Sequence, residues 1–424
     1  MSCNHGSLLY TSPAHGGWGV VRLAMLVPES YQLFVCPFAC GRHGALGAIG
    51  HGIKDRLSYL YIEESDIVSG SYEKLIPEAV TELLETLEQR PKVLLIFVSC
   101  LDDLLGTDHE AILAILHRQH PEIQFTFCHM NPITQDGDNP PPVNIRRKMY
   151  GLLKPGQKRN NQVNIIGNPV PVAPSSEVFG LLQELGIQRV NHISQFTTMS
   201  EFQEMAGARL NLVLAPPGKR AAEDLREQCQ IPFELAFANY REEEVIRQYQ
   251  HLLVCLSGGR DIVFDFAPYR ERARRAVRQA LVAAGNRPVY LDYTATAHPY
   301  GAARALLEAG FHVAGIFSPK VLPADQEHAR WLKIHAPELQ ILDSQAPGTP
   351  GLIGEFPAES IAIGLEAGYI TRSSHVVGLV NDEGNFGFDG IVRLMEGITG
   401  AVSEKNDKEA ESLETMIKNY GLVI

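Results

Sequence analysis

The sequence predicts an α/β protein made of three successive units, each a parallel sheet covered by helices. Apolar runs of roughly four to eight residues recur along the chain, and many pass through a turn into a segment of helical period. That is the pattern of strands buried on both faces and joined by helical crossovers. The chain is also 424 residues long, which at about 150 residues per domain suggests about three domains. A composition that is 45% hydrophobic and 20% charged excludes disordered and fibrous classes.

In the first unit, 93–99 is the clearest strand, because Val, Leu, Ile and Phe fill it almost without interruption, and 108–117 after it has helical spacing. Residues 124–128 and 163–166 read as the next two strands. The segment 131–142, with four prolines and two Asp, reads as an exposed loop. A second unit begins near Gly167, with helix 178–185, strand 190–193, helix 198–206, strand 210–214, helix 221–229 and a further strand step at 231–233. The third opens after Gly258 and Gly259 with helix 269–284, strand 289–292, helix 299–309 and strands 313–317 and 339–342. An apolar-periodic helix, 390–402, precedes a charged tail, 403–418, that reads as surface or interface. The expected units are 1–166, 167–258 and 259–387, with 388–424 returning to complete the first.

Charge and cysteine usage narrow the function. With 37 Lys and Arg against 49 Asp and Glu, the net charge of −12 repels a phosphate backbone, so no nucleic-acid partner is expected. No apolar run approaches about 18 residues and the first residues lack the features of a signal peptide, so no membrane association and a cytoplasmic location are expected. Seven cysteines, Cys3, Cys36, Cys40, Cys100, Cys128, Cys229 and Cys255, are an odd number in a long chain. Metal or redox chemistry is the natural use of such a set, rather than a disulfide framework.

Cys36 and Cys40 stand four apart among Pro, Ala and Gly, and Cys100 ends a predicted parallel strand, at the carboxyl edge where ligands bind in such sheets. Thiolates in this setting bind soft metals or iron–sulfur clusters. The alternative is that Cys36 and Cys100 are small apolar core residues. Pro216 to Arg220 lacks the upstream Gly and the Ser or Thr of a phosphate loop, and no GxGxxG follows a strand, so nucleotide binding is not expected. The acidic runs Glu63 to Asp66 and Asp102 to Asp103 read as solvated turns. Asp389 reads as a helix cap.

At these residues the sequence resembles the nitrogenase component 1 family, whose members include protochlorophyllide reductase, nickel-sirohydrochlorin reductive cyclase and methylthio-alkane reductase. Gly16-Gly17-Trp18-Gly19-Val20-Val21 is similar to the turn after the family's first cluster cysteine. Cys36-Pro37-Phe38-Ala39-Cys40 is similar to the segment carrying the second, and Val98 to Asp108, around Cys100, to the third. Glu63 to Gly70, Asn211-Leu212-Val213 with Gln230-Ile231-Pro232, and Gly387-Phe388-Asp389-Gly390 match further landmarks in order.

The resemblance implies three Rossmann-like domains and an oxidoreductase. Its cluster, a 4Fe-4S cluster rather than the eight-iron form, would be held by Cys36, Cys40 and Cys100. A fourth ligand would come from Cys3, His15, a carboxylate or a partner. It implies an ATP-dependent iron protein as electron donor, and a homodimer or a heterodimer with a paralogous chain. His15, His298 and Asp389 are the candidate catalytic residues near a substrate cleft. The departures are as informative. Ser12, Pro13, Ala14 and His15 stand where the first cluster cysteine belongs, and Cys36 stands where the family has glycine. Ala215 and Phe386 occupy the positions of the Cys and His that hold the iron–molybdenum cofactor in nitrogenase. The implied substrate is therefore not dinitrogen. The alternative function is a non-catalytic cluster or cofactor assembly scaffold of the same family.

Overall fold

A computed structural model describes residues 8–14, 19–50, 54–130, 140–403 and 413–419. Among these residues thirteen strands form three sheets, and every pairing is parallel. The first sheet contains β1 (Ser30–Cys36), β2 (Leu57–Tyr61), β3 (Val93–Val98) and β4 (Gln124–His129), in the order β2-β1-β3-β4. The second contains β5 (Gln162–Ile166), β6 (Arg189–Asn191), β7 (Leu210–Val213) and β8 (Phe233–Leu235), in the order β6-β5-β7-β8. The third contains β9 (Val289–Asp292), β10 (Val313–Phe317), β11 (Gln340–Leu342), β12 (Ile361–Ile363) and β13 (His375–Val377), in the order β11-β10-β9-β12-β13.

The two-residue period of the strands assigns the cores. In β1 and β3, Leu33, Val35, Leu94, Ile96 and Val98 pack against helices Tyr72–Thr86 and His109–Gln119 through Ile76, Val80, Leu84, Ile112 and Leu116. The alternate residues Phe34, Cys36, Val93, Leu95 and Phe97 face a different core. That core also holds Ile166 and Val213 of the second sheet. The opposite face of the second sheet, through Val163, Ile165, Leu210 and Leu212, shares one core with Val289, Leu291, Ile316 and Ile363 of the third. The three sheets are thus joined in series by shared apolar layers.

Two placements correct the sequence expectation. Strand β5, expected to close the first unit, is a central strand of the second sheet. Asn164 of β5 is in register with Asn191 of β6 and Asn211 of β7. All three are fully buried. Their amides form a ladder, Asn191 Nδ2 to Asn164 Oδ1 at 3.0 Å and Asn164 Nδ2 to Asn211 Oδ1 at 2.8 Å. The region 388–424, expected to complete the first unit, begins on the third and reaches the first only through helix Leu413–Asn419, which touches helix Phe38–Gly50. Helix Gly387–Ser403 packs along helix Ala267–Ala284 and against β13. The reason is a stripe of small residues, Ala273, Ala276, Ala280 and Ala284, buried at helical spacing, which admits the apolar face Phe388, Ile391, Met395 and Ile398. Helix Leu413–Asn419 then docks through Ile417 beside Ala14 and Leu365.

Strands β1, β2, β12 and β13 were not among the expected elements.

Candidate cluster site

Strands β1 and β3 are the central pair of the first sheet, in register at Val35 and Val98. They end side by side, and the Ser99 amide still donates to the Val35 carbonyl. Cys36 is the last residue of β1, and Cys100 is the first residue of helix Cys100–Leu105. Pro37 turns the chain into helix Phe38–Gly50, and its carbonyl accepts from the Cys40 amide at 3.0 Å. Cys40 thereby lies in the first turn, over the same sheet edge. Cys36 is fully buried, whereas Cys40 and Cys100 are half-buried.

Two of the thiols feel a neighbouring one. Burial, with Cys40 beside it, pushes the Cys36 thiol up to about 12. Burial and then Cys100 push the Cys40 thiol up. Ionising Cys36 and Cys40 is therefore unfavourable unless a cation neutralises them, which is the electrostatic condition of a thiolate metal site. The helix lies close to β2: a Cβ on Gly41 would come within 2.7 Å of the Tyr61 ring. The Phe38 and Tyr61 rings meet tilted, 5.1 Å apart, and both are exposed, Phe38 at 69%.

Immediately behind Cys100, Asp102 corrects the solvated-turn expectation, while Asp103 is exposed as expected but pairs with a histidine. Asp102 is fully buried. It accepts from Tyr72 Oη at 2.8 Å and pairs with His109 Nε2 at 2.6 Å. Burial alone would raise its carboxyl, but the His109 and Tyr72 bonds outweigh burial and hold it below the ordinary value. Asp103 pairs with His129 Nδ1 at 2.9 Å, and the His109 and His129 rings meet edge to face at 5.0 Å. One short helix thus carries the Cys100 thiol and two carboxylates that each pair with an imidazole.

His298 and Asp389 belong to the third unit and lie apart from the cysteine corner in the sequence of sheets. His298 precedes helix Pro299–Glu308, with Nδ1 3.6 Å from Asp325 Oδ1 and its ring 5.7 Å from Phe237 of the second unit. Burial would lower its basicity, but the Asp325 carboxylate, with Asp382 and Glu244 beyond it, raises it overall. Asp389 is buried in the first turn of helix Gly387–Ser403, held by Ser175 Oγ at 2.8 Å and Arg272 at 3.2 Å. The cap of that helix is Glu177, which accepts from the Phe388 amide at 2.6 Å, the Asp389 amide at 3.1 Å and Tyr249 Oη at 2.5 Å. Gly387 has φ +64°, and a Cβ there would overlap Tyr249 Oη and Glu177 Oε1. His15 and Cys3 lie outside the described residues.

Ala215, at the end of β7, approaches Gly167 so closely that a Cβ on Gly167 would meet the Ala215 amide at 2.9 Å. Phe386 is buried edge-on against Tyr249 at 5.8 Å. Both positions are filled by apolar packing.

Sequence reasoning missed His109, His129 and Tyr72. Tyr72 and His109 come from helices far apart in sequence, and the only local signal was an acidic pair two residues after a cysteine.

The comparisons agree with this architecture. A sequence model described as nitrogenase component 1 type oxidoreductase matches residues 17–403. No curated protein matches the sequence. Among solved structures, "Nitrogenase Cp1 at pH 6.5" superposes with a TM-score of 0.68 at 15% identity, covering 96% of each chain. "Nitrogenase Cp1 at pH 5" gives 0.59 at 15% identity, covering 96% of this chain and 92% of the other. No helix among the described residues is long and apolar enough to cross a membrane. The fold, the sequence model over nearly the whole chain and the thiols at one sheet edge lead to one conclusion: the chain belongs to the nitrogenase component 1 type oxidoreductase family.

Proposed function

We propose that this chain is the substrate-reducing component of a two-part, nitrogenase-like system. An ATP-dependent iron protein would supply its electrons, and the substrate would be other than dinitrogen. The observation that carries this reading is the convergence of Cys36, Cys40 and Cys100 on the carboxyl edge of two adjacent central strands in a chain of this family.

The donor set fits an iron–sulfur cluster. Three soft thiols stand at the end of β1 and in the first turns of two helices, one beside a close-packed glycine, and the burial and neighbouring charge that raise Cys36 and Cys40 are what iron would offset. A 4Fe-4S cluster held there, with a fourth ligand from elsewhere, supplies a one-electron store of low potential. Cys36 anchors from the core, while half-buried Cys40 and Cys100 leave one side open. Phe38, Tyr61, Leu104 and Leu105 are exposed apolar side chains on the elements that follow these strands. They favour a protein partner over that side, either a second subunit or the electron donor. The pairs His109 with Asp102 and His129 with Asp103 set imidazoles against the helix that begins at Cys100, and His298 stands 3.6 Å from Asp325 beside Phe237 of the second unit, so each offers an imidazole for proton transfer. Ala215 and Phe386 offer no metal donor where nitrogenase holds its cofactor, which supports a substrate bound without the iron–molybdenum cofactor.

The test is anaerobic purification of wild type and single variants with iron and sulfide analysis. Cys40→Ala and Cys100→Ala should each abolish the charge-transfer absorbance, and Cys229→Ala should leave it intact. Equal loss in all three refutes the assignment. Reduction of the cluster should require MgATP and the iron protein. Reduction at the same rate without them counts against the proposed donor.

A further inference from the structure

A second group of donors lies away from the cysteine corner, on the second unit. Helix Glu242–Ser257 buries Val245, Tyr249, Leu252 and Leu256 on one face. On the outer face His251 and Cys255 stand one turn apart, both exposed. Glu234 of the edge strand β8 reaches the same point. His251 Nε2 is 2.8 Å from Glu234 Oε2, Cys255 Sγ is 3.6 Å from Glu234 Oε1, and Cys255 Sγ is 3.5 Å from His251 Nε2.

These separations match the edges of a tetrahedral metal site. Bond lengths of about 2.3 Å to sulfur, about 2.05 Å to imidazole and about 2.1 Å to carboxylate, at the tetrahedral angle, put sulfur about 3.6 Å from each of the other donors and nitrogen about 3.4 Å from oxygen. The sulfur–nitrogen edge is already at that value, while sulfur lies 3.6 Å from Oε1 and nitrogen meets Oε2, so a rotation of the carboxylate brings one oxygen to both. The nitrogen–oxygen edge is short because a hydrogen bond occupies the place a cation would take. Each donor is of a type that zinc-like ions accept.

We propose that Glu234, His251 and Cys255 form a surface site for a borderline divalent transition-metal ion of the zinc type, with its fourth position open to solvent. A nucleophilic Cys–His–Glu triad does not fit the same geometry. There the carboxylate orients the base through the ring nitrogen remote from the thiol, whereas here thiol and carboxylate meet the same nitrogen. Burial and the Glu234 charge also push the Cys255 thiol up rather than down, the opposite of an activated nucleophile. Metal binding displaces the thiol proton to solvent, His251 contributes the Nε2 lone pair, and one carboxylate oxygen completes the protein's share.

The experiment uses the full chain, stripped of loosely bound metal under anaerobic conditions and titrated with Co2+. The wild type should show the visible bands of tetrahedral cobalt with thiolate charge transfer, from about one equivalent more than Cys255→Ser binds. Cys100→Ala should retain that component. A second readout is alkylation of Cys255, followed by peptide mass spectrometry with and without Zn2+. Zinc should slow labelling at least about tenfold in the wild type and far less in His251→Gln. Identical cobalt spectra for wild type and Cys255→Ser, or a labelling rate indifferent to zinc, overturns the proposal. Both substitutions are on an exposed helix face, so circular dichroism should be unchanged.

Discussion

Replacing Asp102 with Ala should loosen the segment that presents Cys100. The carboxylate is fully buried and ties helix Cys100–Leu105 to Tyr72 and His109. Truncation removes two bonds to a charged acceptor, and the two stranded donors fare differently. His109 is partly exposed and can turn to water, with 22% of its side chain accessible, but Tyr72 is buried and its hydroxyl is left without an acceptor. One stranded hydroxyl at about 1–3 kcal/mol plus one lost charge-assisted bond at about 1.5 kcal/mol gives a loss of roughly 3 kcal/mol. Amides over 99–106 should then exchange about a hundredfold faster, as read by hydrogen exchange and mass spectrometry, which reports local opening in a multi-unit chain. Tyr72→Phe alone should cost about 1 kcal/mol. The double variant should cost less than the sum by about 1 kcal/mol, because one bond is counted in both singles. Strict additivity, or unchanged exchange in Asp102→Ala, refutes the tether. If the tether positions a ligand, iron retention should fall in the same order as protection.

Two glycines separate steric overlap from backbone strain. Gly106→Ala, at φ +66° with nothing near its Cβ, should cost about 1 kcal/mol, whereas Gly387→Ala, driven into Tyr249 and Glu177, should cost about 3 kcal/mol or more; similar melting shifts for both contradict this. Burial, and the Asp292 charge after it, raise the Glu366 carboxyl to about 8. That is above its unfolded value of about 4.3, so the folded chain holds the extra proton between the two, and stability falls as pH rises through that window. The melting temperature of the wild type relative to Glu366→Gln should therefore decline between about pH 5 and about pH 8, and a constant difference across that range is the refuting result.

Long, uniformly apolar strands were legible from sequence. Val93–Val98 is buried at every position, and the cysteine-bearing turns fall at strand ends as a parallel sheet requires. Strand membership was less legible. Residues 163–166 read as a strand with equal clarity, yet which sheet β5 joins depends on partners about 25 and 45 residues later in the chain, beyond any local pattern. The roles of Asp102 and Glu177 were hidden for a related reason. An acidic residue in a turn looks the same whether water or a distant tyrosine receives it, and only the fold brings Tyr72 and Tyr249 to them. Cys255 and His251 were one turn apart in plain view, but the third donor arrives from an edge strand.

The asparagine ladder across β6, β5 and β7 acts on alignment more than on stability. Three apolar residues there would hold the sheet about as well, since a buried amide pair contributes little net free energy. They would hold it as well in several alignments. Sliding either neighbour by one residue against β5 would face an amide with an apolar side chain and strand its donors and acceptor at about 1–3 kcal/mol each. Over the ladder that is roughly 5 kcal/mol against every wrong pairing, about the size of a small domain's whole folding free energy. Asn164, Asn191 and Asn211 therefore encode which residue meets which in the middle sheet.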